Sequence, residues 1–355
     1  MKLGQWIGLF VFLVCLYILW EIRQVVLVIF LAVVLATALN WLQNRLQQWG
    51  LNRGRAIALT LGMTFLIMIG FVLIIVPPFL RETQQLTILI PKGLHRLQGW
   101  LEQVDTLFSI NGLNEGPLVD RLFRQVEPFL ERIFDNFFSV FSNTLAILLN
   151  TLLVLVLTVM LVLNPSPYRR GFIRLFPAFY RRRIDMILTE SESQLLAWLA
   201  GTGLNMLVVG TVSGLVLLVL GVRLALANAF LAGLLEAIPN IGPTLSVIPP
   251  IAIALLDDPW KAVAVLIAYI IIQQLEQYLL VPVIMAHQVN LLPAFTLISQ
   301  IIFAIFFGFL GLLLALPLVI VGKIWFEEIV LKDILDPWDH ALGSSSLAES
   351  SSESK

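Results

Sequence analysis

Glu236 and Glu276 are carboxylates set inside apolar sequence, where an acid can hold a proton, a cation or a small polar solute. Glu236 stands beside the breaker run Ile238-Pro239-Asn240-Ile241-Gly242-Pro243. Glu276 shares one helical face with Gln273 and Gln277 through i, i+3 and i+4 spacing. Such groups within a membrane helix are costly unless they face a cavity or one another. They make either a hydrogen-bond network between helices or a substrate or ion site, and for Glu236 the adjoining unwound backbone favours the site. A desolvated carboxyl is suited to carry a proton or exchange it for a cation. The candidate ligands are therefore Glu236, Asn240, Gln273, Glu276 and Gln277.

The elements that must position them are interrupted. The breaker run divides the apolar stretch 224–256 into halves of about fifteen residues, whereas crossing about 30 Å of hydrocarbon takes about 20 helical residues. Non-helical backbone at that depth survives only in protein or against a wet cavity. A second apolar run opens at Pro293, is interrupted at Gly308-Phe309-Leu310-Gly311 and continues through Pro317 to Val321. Pro239, Gly242 and Pro243 would shape the first break, and Gly308 and Gly311 the second. Two opposed re-entrant hairpins would result, a device by which secondary transporters build a site near the midplane. Tilted spans with a proline kink are the alternative.

Composition sets the class: 59% hydrophobic and 13% charged residues, with a mean hydropathy of +0.93, describe a polytopic membrane protein. Apolar windows fall at 7–20, 25–42, 56–80, 141–163, 195–221 and 260–284, besides the two interrupted runs. The first window has no small-residue cleavage pattern after it and reads as a retained membrane helix. Arg45, Arg53 and Arg55 form one basic cluster, and Arg169, Arg170, Arg174, Arg181, Arg182 and Arg183 another. Both belong on the cytoplasmic side by the positive-inside rule, which puts 81–140 outside and both termini inside. The loop 164–190 reads as an interfacial helix whose arginines meet anionic headgroups. Segment 81–140 carries apolar residues at helical spacing, such as Leu122, Val126, Phe129 and Ile133, and reads as extracytoplasmic amphipathic helices. Gly210 and Gly214 form a GxxxG that lets helices approach closely. Trp325-Phe326 and Pro337-Trp338 suggest a short interfacial helix, and 343–355 is a serine-rich disordered tail.

Other classes find little support. No Gly-Lys-Ser/Thr phosphate loop is present, so a gradient and not ATP hydrolysis within this chain would drive transport. Three histidines and the lone Cys15 are too scattered for a typical zinc site, and Asp257-Asp258 before Pro259 reads as a helix cap. A net charge of −1 implies no nucleic-acid partner. No enzyme, cofactor or metal is expected.

The string Leu235-Glu236-Ala237-Ile238-Pro239-Asn240-Ile241-Gly242-Pro243, then Gln274-Leu275-Glu276 with Pro282, Leu292-Pro293 and Gly308-Phe309-Leu310-Gly311 through Pro317, resembles the autoinducer-2 exporter family of permeases. The resemblance covers about residues 5–330 and is strongest over 165–325; segment 81–140 matches only in length and amphipathic character. It implies an inner-membrane transporter of about eight membrane segments and a homo-oligomer. Family members are assigned to autoinducer-2 export and others to sodium(lithium)/proton antiport. Asn240 departs from the family, which often has an aromatic residue after the proline.

The expected organisation is all-α: membrane helices over 1–80, an extracytoplasmic segment over 81–140, a transport domain over 141–325, and a cytoplasmic interfacial helix with tail over 326–355. The expected partners are the lipid bilayer and a small polar solute or a monovalent cation and proton. The expected mechanism is alternating access, with a non-transporting scaffold as the remaining class.

Overall fold

A computed structural model describes residues 10, 14, 17–74, 144–280, 282 and 293–335. The expectations for 81–140, for most of 7–20, for Cys15 and for the tail lie outside these residues. Every regular element among the described residues is helical. The helices are α1 (Arg23–Gln48), α2 (Arg53–Ile74), α3 (Thr144–Leu163), α4 (Pro165–Arg174), α5 (Arg181–Val219), α6 (Ala225–Leu235), α7 (Ile241–Ser246), α8 (Ile248–Asp257), α9 (Pro259–Leu275) and α10 (Pro293–Trp325). Two wider π-helical stretches, Glu276–Leu280 and Phe326–Leu335, extend α9 and α10.

Five of these helices are long and apolar enough to cross a membrane, or six when the bent pair α3–α4 counts as one span. The chain is thus an all-α polytopic membrane protein. Residues 17–21 run almost directly into α1. Ile22 N–H bonds to the Ile18 carbonyl and Val26 N–H to the Ile22 carbonyl, so only Ile22 separates α1 from the helical turn before it.

The chain divides into two compact units, one of Met1–Ile57, Val154–Ala200 and His287–Lys355, the other of Ala58–Leu153 and Gly201–Ala286. In the first, Val28 and Ala32 of α1 pack on Val154 of α3, and Ile184, Ile187 and Trp198 of α5 pack on Leu316, Ile320 and Ile324 of α10. Arg53 donates to the Leu163 carbonyl at 3.3 Å, which brings the two basic clusters to one end of this unit.

The basic stretch 164–190 is not a single interfacial helix. The chain bends by 93° between Leu149–Leu163 and Pro165–Arg174, and a short turn then leads into α5. Pro165 at the first position of α4 suits a fixed φ and a missing N–H where no intrahelical partner exists. α5 has 39 residues, about 58 Å at about 1.5 Å per residue, which is longer than the hydrocarbon core is thick.

In the second unit the broken stretch folds back on itself. α6 leads in, a turn follows, and α7 with α8 leads out. Asp257, at the end of the outward arm, pairs with Arg223, just before the inward arm, and with Lys261 at 3.3 Å. Lys261 also donates to the Gly221 carbonyl at 3.1 Å. The two ends of the element are therefore joined. With 11 residues, α6 reaches about 16 Å at about 1.5 Å per residue, roughly half the hydrocarbon thickness. It crosses α5 with backbones nearly touching, since a Cβ on Gly233 would lie 2.7 Å from the Met206 carbonyl oxygen and one on Gly214 would lie 2.9 Å from the Ala229 Cβ. The GxxxG face serves this packing.

α10 also folds back. Gly308 has φ 66° and ψ −148°, a combination open essentially to glycine alone. A Cβ on Gly311 would fall 2.3 Å from the Phe303 carbonyl oxygen. In a straight helix those positions would be about 12 Å apart along the axis. The run Pro293–Trp325 is therefore two arms, despite its continuous hydrogen-bonded pattern.

Candidate functional site

The tip of the first hairpin forms because its helix ends early. Pro239 lacks an N–H and pushes Ile238 away from the helical region, so α6 stops at Leu235 with Glu236 as its cap. The chain turns through Ile238 N–H to the Leu235 carbonyl at 2.9 Å, Ile241 N–H to the Pro239 carbonyl at 2.8 Å and Gly242 N–H to the Ile238 carbonyl at 2.8 Å. Asn240 takes φ +67°, which asparagine tolerates better than most residues, and its carbonyl accepts from Thr244 Oγ1 at 3.0 Å. At Gly242 a Cβ would sit 1.8 Å from the Leu235 carbonyl oxygen, so no other residue fits without opening the tip.

Glu236 and Glu276 are 3% and 4% exposed. Asn205, about two thirds of the way along α5, joins them: its Nδ2 donates to Glu236 Oε1 at 3.1 Å and to Glu276 Oε1 at 2.7 Å. Gln273 Nε2 donates to Glu276 Oε2 at 2.9 Å. One amide nitrogen spanning two carboxyls keeps them within a few ångströms, in direct reach of one another. Glu236 Oε2 and Asn205 Oδ1 are buried acceptors with no donor among the described residues. Two full negative charges about 4 Å apart repel by about 4 kcal/mol even at an effective dielectric near 20. The pair is therefore at ease only with a proton, a cation or a donor-bearing solute between its oxygens. That makes the pair a candidate site.

The predicted residues are not all gathered there. Glu236, Glu276 and Gln273 are brought together, while Asn240 and Gln277 have exposed side chains. Gln277 leaves the expected face because the helix widens to i→i+5 bonding at Glu276, so residues four apart no longer stack. Asn240 contributes backbone conformation at the tip. Asn205 escaped the sequence reading; its signal was a lone amide in the apolar window 195–221, and only the fold reveals that it faces two carboxyls.

The second hairpin's tip is chemically different. Around Gly308 the rings of Phe303 and Phe307 stack at 5.6 Å, and Trp20 meets Phe306 edge-on at 5.7 Å. At the base of the first hairpin, hydrogen bonding to Arg223 holds Asp257 below the usual carboxylate range against the opposing effect of burial, with Lys261 assisting.

Doubled-back apolar helices with buried acids at one tip define a multi-pass membrane protein built as transporters are. The chain belongs to the AI-2E transporter family: residues 9–331 match the description "AI-2E family transporter". Among curated relatives, YhhT of Escherichia coli (strain K12), a candidate transport protein by name, is 26% identical over 307 residues, 86% of this chain and 84% of its own length. YueF of Bacillus subtilis (strain 168), also named as a candidate transport protein, is 32% identical over 158 residues. That match spans 44% of this chain and 43% of YueF, so it covers less than half of either protein. The "AI-2 transport protein TqsA" of Escherichia coli (strain K12) is 35% identical over 123 residues, 34% of this chain and 36% of TqsA.

Proposed function

We propose that this protein is a secondary transporter that exports a small polar solute such as autoinducer-2 across the inner membrane by alternating access. Both termini and both basic clusters face the cytoplasm in this reading. The binding site is the Glu236–Asn205–Glu276 bridge at the tip of a re-entrant hairpin, with Gln273 orienting Glu276. The observation that carries it is the pair of buried, unpartnered acceptors, Glu236 Oε2 and Asn205 Oδ1, beside a break in a half-length helix. Acceptors of that kind suit the hydroxyls of a polar solute. The name of the relative TqsA supports autoinducer-2 as the first solute to try.

Sodium(lithium)/proton antiport is the second reading, and the contact between the two carboxyls favours it, because like charges at that distance exchange a proton for a cation readily. A scaffold without transport has no need of a buried acid pair at a helix break.

The test is flux in proteoliposomes of the purified chain, following labelled autoinducer-2 and internal pH together, with and without a sodium gradient. Solute movement lost in Glu236→Gln supports export through this site. Sodium-driven pH change without solute movement makes the protein an antiporter. Normal flux in both Glu236→Gln and Glu276→Gln removes the carboxyls from the mechanism.

A further inference from the structure

The arginines at the basic end of the first unit fall into two kinds. Arg169 is neutralised by Asp185 at 2.8 Å and Glu192 at 3.3 Å, and Arg183 by Glu328 at 2.8 Å and Asp333 at 3.0 Å. Both are half-buried. They tie α4 to α5 and α5 to the C-terminal π-helical stretch, where Tyr180 also donates to Asp333 at 2.5 Å. Arg170, Arg174, Arg181 and Arg182 are exposed, and among the described residues none of them reaches a carboxylate. Arg170 and Arg181 donate to backbone carbonyls, those of Ser166 and Phe176.

These four cations are interleaved with apolar side chains that remain largely exposed among the described residues. Tyr168 is 45% exposed, Phe172 42%, Leu175 78% and Phe179 88%. The 93° bend after α3 sets α4 at a right angle to it, the orientation a helix takes when it lies along a surface that its neighbour enters. The Phe172, Phe176 and Trp325 rings, with centroids 5.6 to 6.2 Å apart, fix it to α10.

We infer that α4 and the start of α5 form a binding surface for anionic phospholipid headgroups, with Arg170, Arg174, Arg181 and Arg182 meeting the phosphates and Phe172, Leu175 and Phe179 entering the acyl boundary. A surface of mixed cations and large apolar side chains matches a lipid, which offers both chemistries at one depth. A free phosphate ion offers only the first. Arg169 and Arg183 are excluded from this role because their charge is already satisfied.

The experiment uses the full chain in neutral detergent micelles titrated with phosphatidylglycerol or phosphatidylcholine, reading bound lipid per protein and the thermal unfolding midpoint. Preferential binding of phosphatidylglycerol is expected, with a rise in the midpoint that phosphatidylcholine does not give. Each arginine removed by substitution to glutamine should weaken that preference about fivefold, which corresponds to about 1 kcal/mol per cation at an anionic surface. The combined variant R170Q/R174Q/R181Q/R182Q should lose it, while R45Q/R55Q, which removes charge elsewhere at the same end, should keep it. In the wild-type chain alone the preference should fall as salt shortens the screening length. No preference in the wild type, an unchanged preference in the fourfold variant, or an equal loss in R45Q/R55Q would overturn the assignment. Competition by millimolar inorganic phosphate would also overturn it, in favour of a free-anion site.

Discussion

The two broken elements use one backbone device for different chemistry. The stretch from α6 to α8 breaks at Pro239, Asn240 and Gly242 and carries a buried acid at its tip, while α10 breaks at a single glycine, Gly308, among phenylalanine rings and Trp20. In α10 the buried polar residues Ser299 and Gln300 lie about two turns before the break, on the incoming arm, and the run 293–325 itself contains no Asp or Glu. A helix break is therefore not in itself a site. What makes the first one a candidate is the pair of acids and the amide that the fold delivers to it.

The comparison is open to being broken at several points. Gly242→Ala should have the largest effect, since its Cβ would overlap the Leu235 carbonyl. Loss of several kcal/mol is expected from a clash that only backbone movement relieves, and flux should vanish with the folded population in a thermal unfolding assay. Gly308→Ala, where nothing lies within 4 Å of the new Cβ, should cost only the conformational strain of about 1–3 kcal/mol. Equal losses at both glycines would erase the distinction between a close-packed tip and an open one.

Asn205→Leu comes next. It removes the donor shared by two acids, an effect of about 1–3 kcal/mol for groups left unsatisfied in the interior. Flux in proteoliposomes should fall at least tenfold, by analogy with a lost ligand contact. A variant that transports normally would reduce the bridge to a packing feature. Trp20→Leu at the second tip should lower stability by about 0.5–1.5 kcal/mol through the lost edge-to-face contact, beyond its lost area. Flux per folded molecule should be unchanged, and a selective loss of flux would show that the aromatic tip also handles solute.

The smallest effect is expected at the hairpin base. Asp257→Asn should cost about 1 kcal/mol or less, as exposed ion pairs do. The folded carboxyl of Asp257 is held below its ordinary value, so its stabilisation is complete above the unfolded value near 3.9 and is lost as pH falls through the lower folded one. Unfolding of wild type and Asp257→Asn should therefore differ by a constant amount between pH 5 and 8 and converge only in strong acid. A difference that changes within pH 5–8 would contradict this.

Much of the architecture was legible in the sequence. Hydropathy and half-length apolar runs placed the membrane helices and both breaks, because a residue type either can or cannot continue a helix in lipid. The basic end was legible too, though not its division into paired and free arginines, which depends on Asp185, Glu192, Glu328 and Asp333 arriving from other turns. Within the candidate site, Glu236, Gln273 and Glu276 were readable as polar residues in apolar surroundings. Gln277 was misplaced because an ideal 3.6-residue period was assumed where the helix widens.

The sequence by itself determined that the chain lives in a bilayer, that its helices break near Pro239 and Gly308, and that two acids must be accommodated out of water. These follow from local rules, namely transfer cost, proline's missing donor and glycine's dihedral freedom. Only the tertiary structure decided that the acids meet, that Asn205 is the amide between them, and that the ends of the first broken element are clamped by Arg223, Asp257 and Lys261. Contacts between residues 31 and 71 positions apart are set by how helices pack, and no local period encodes them.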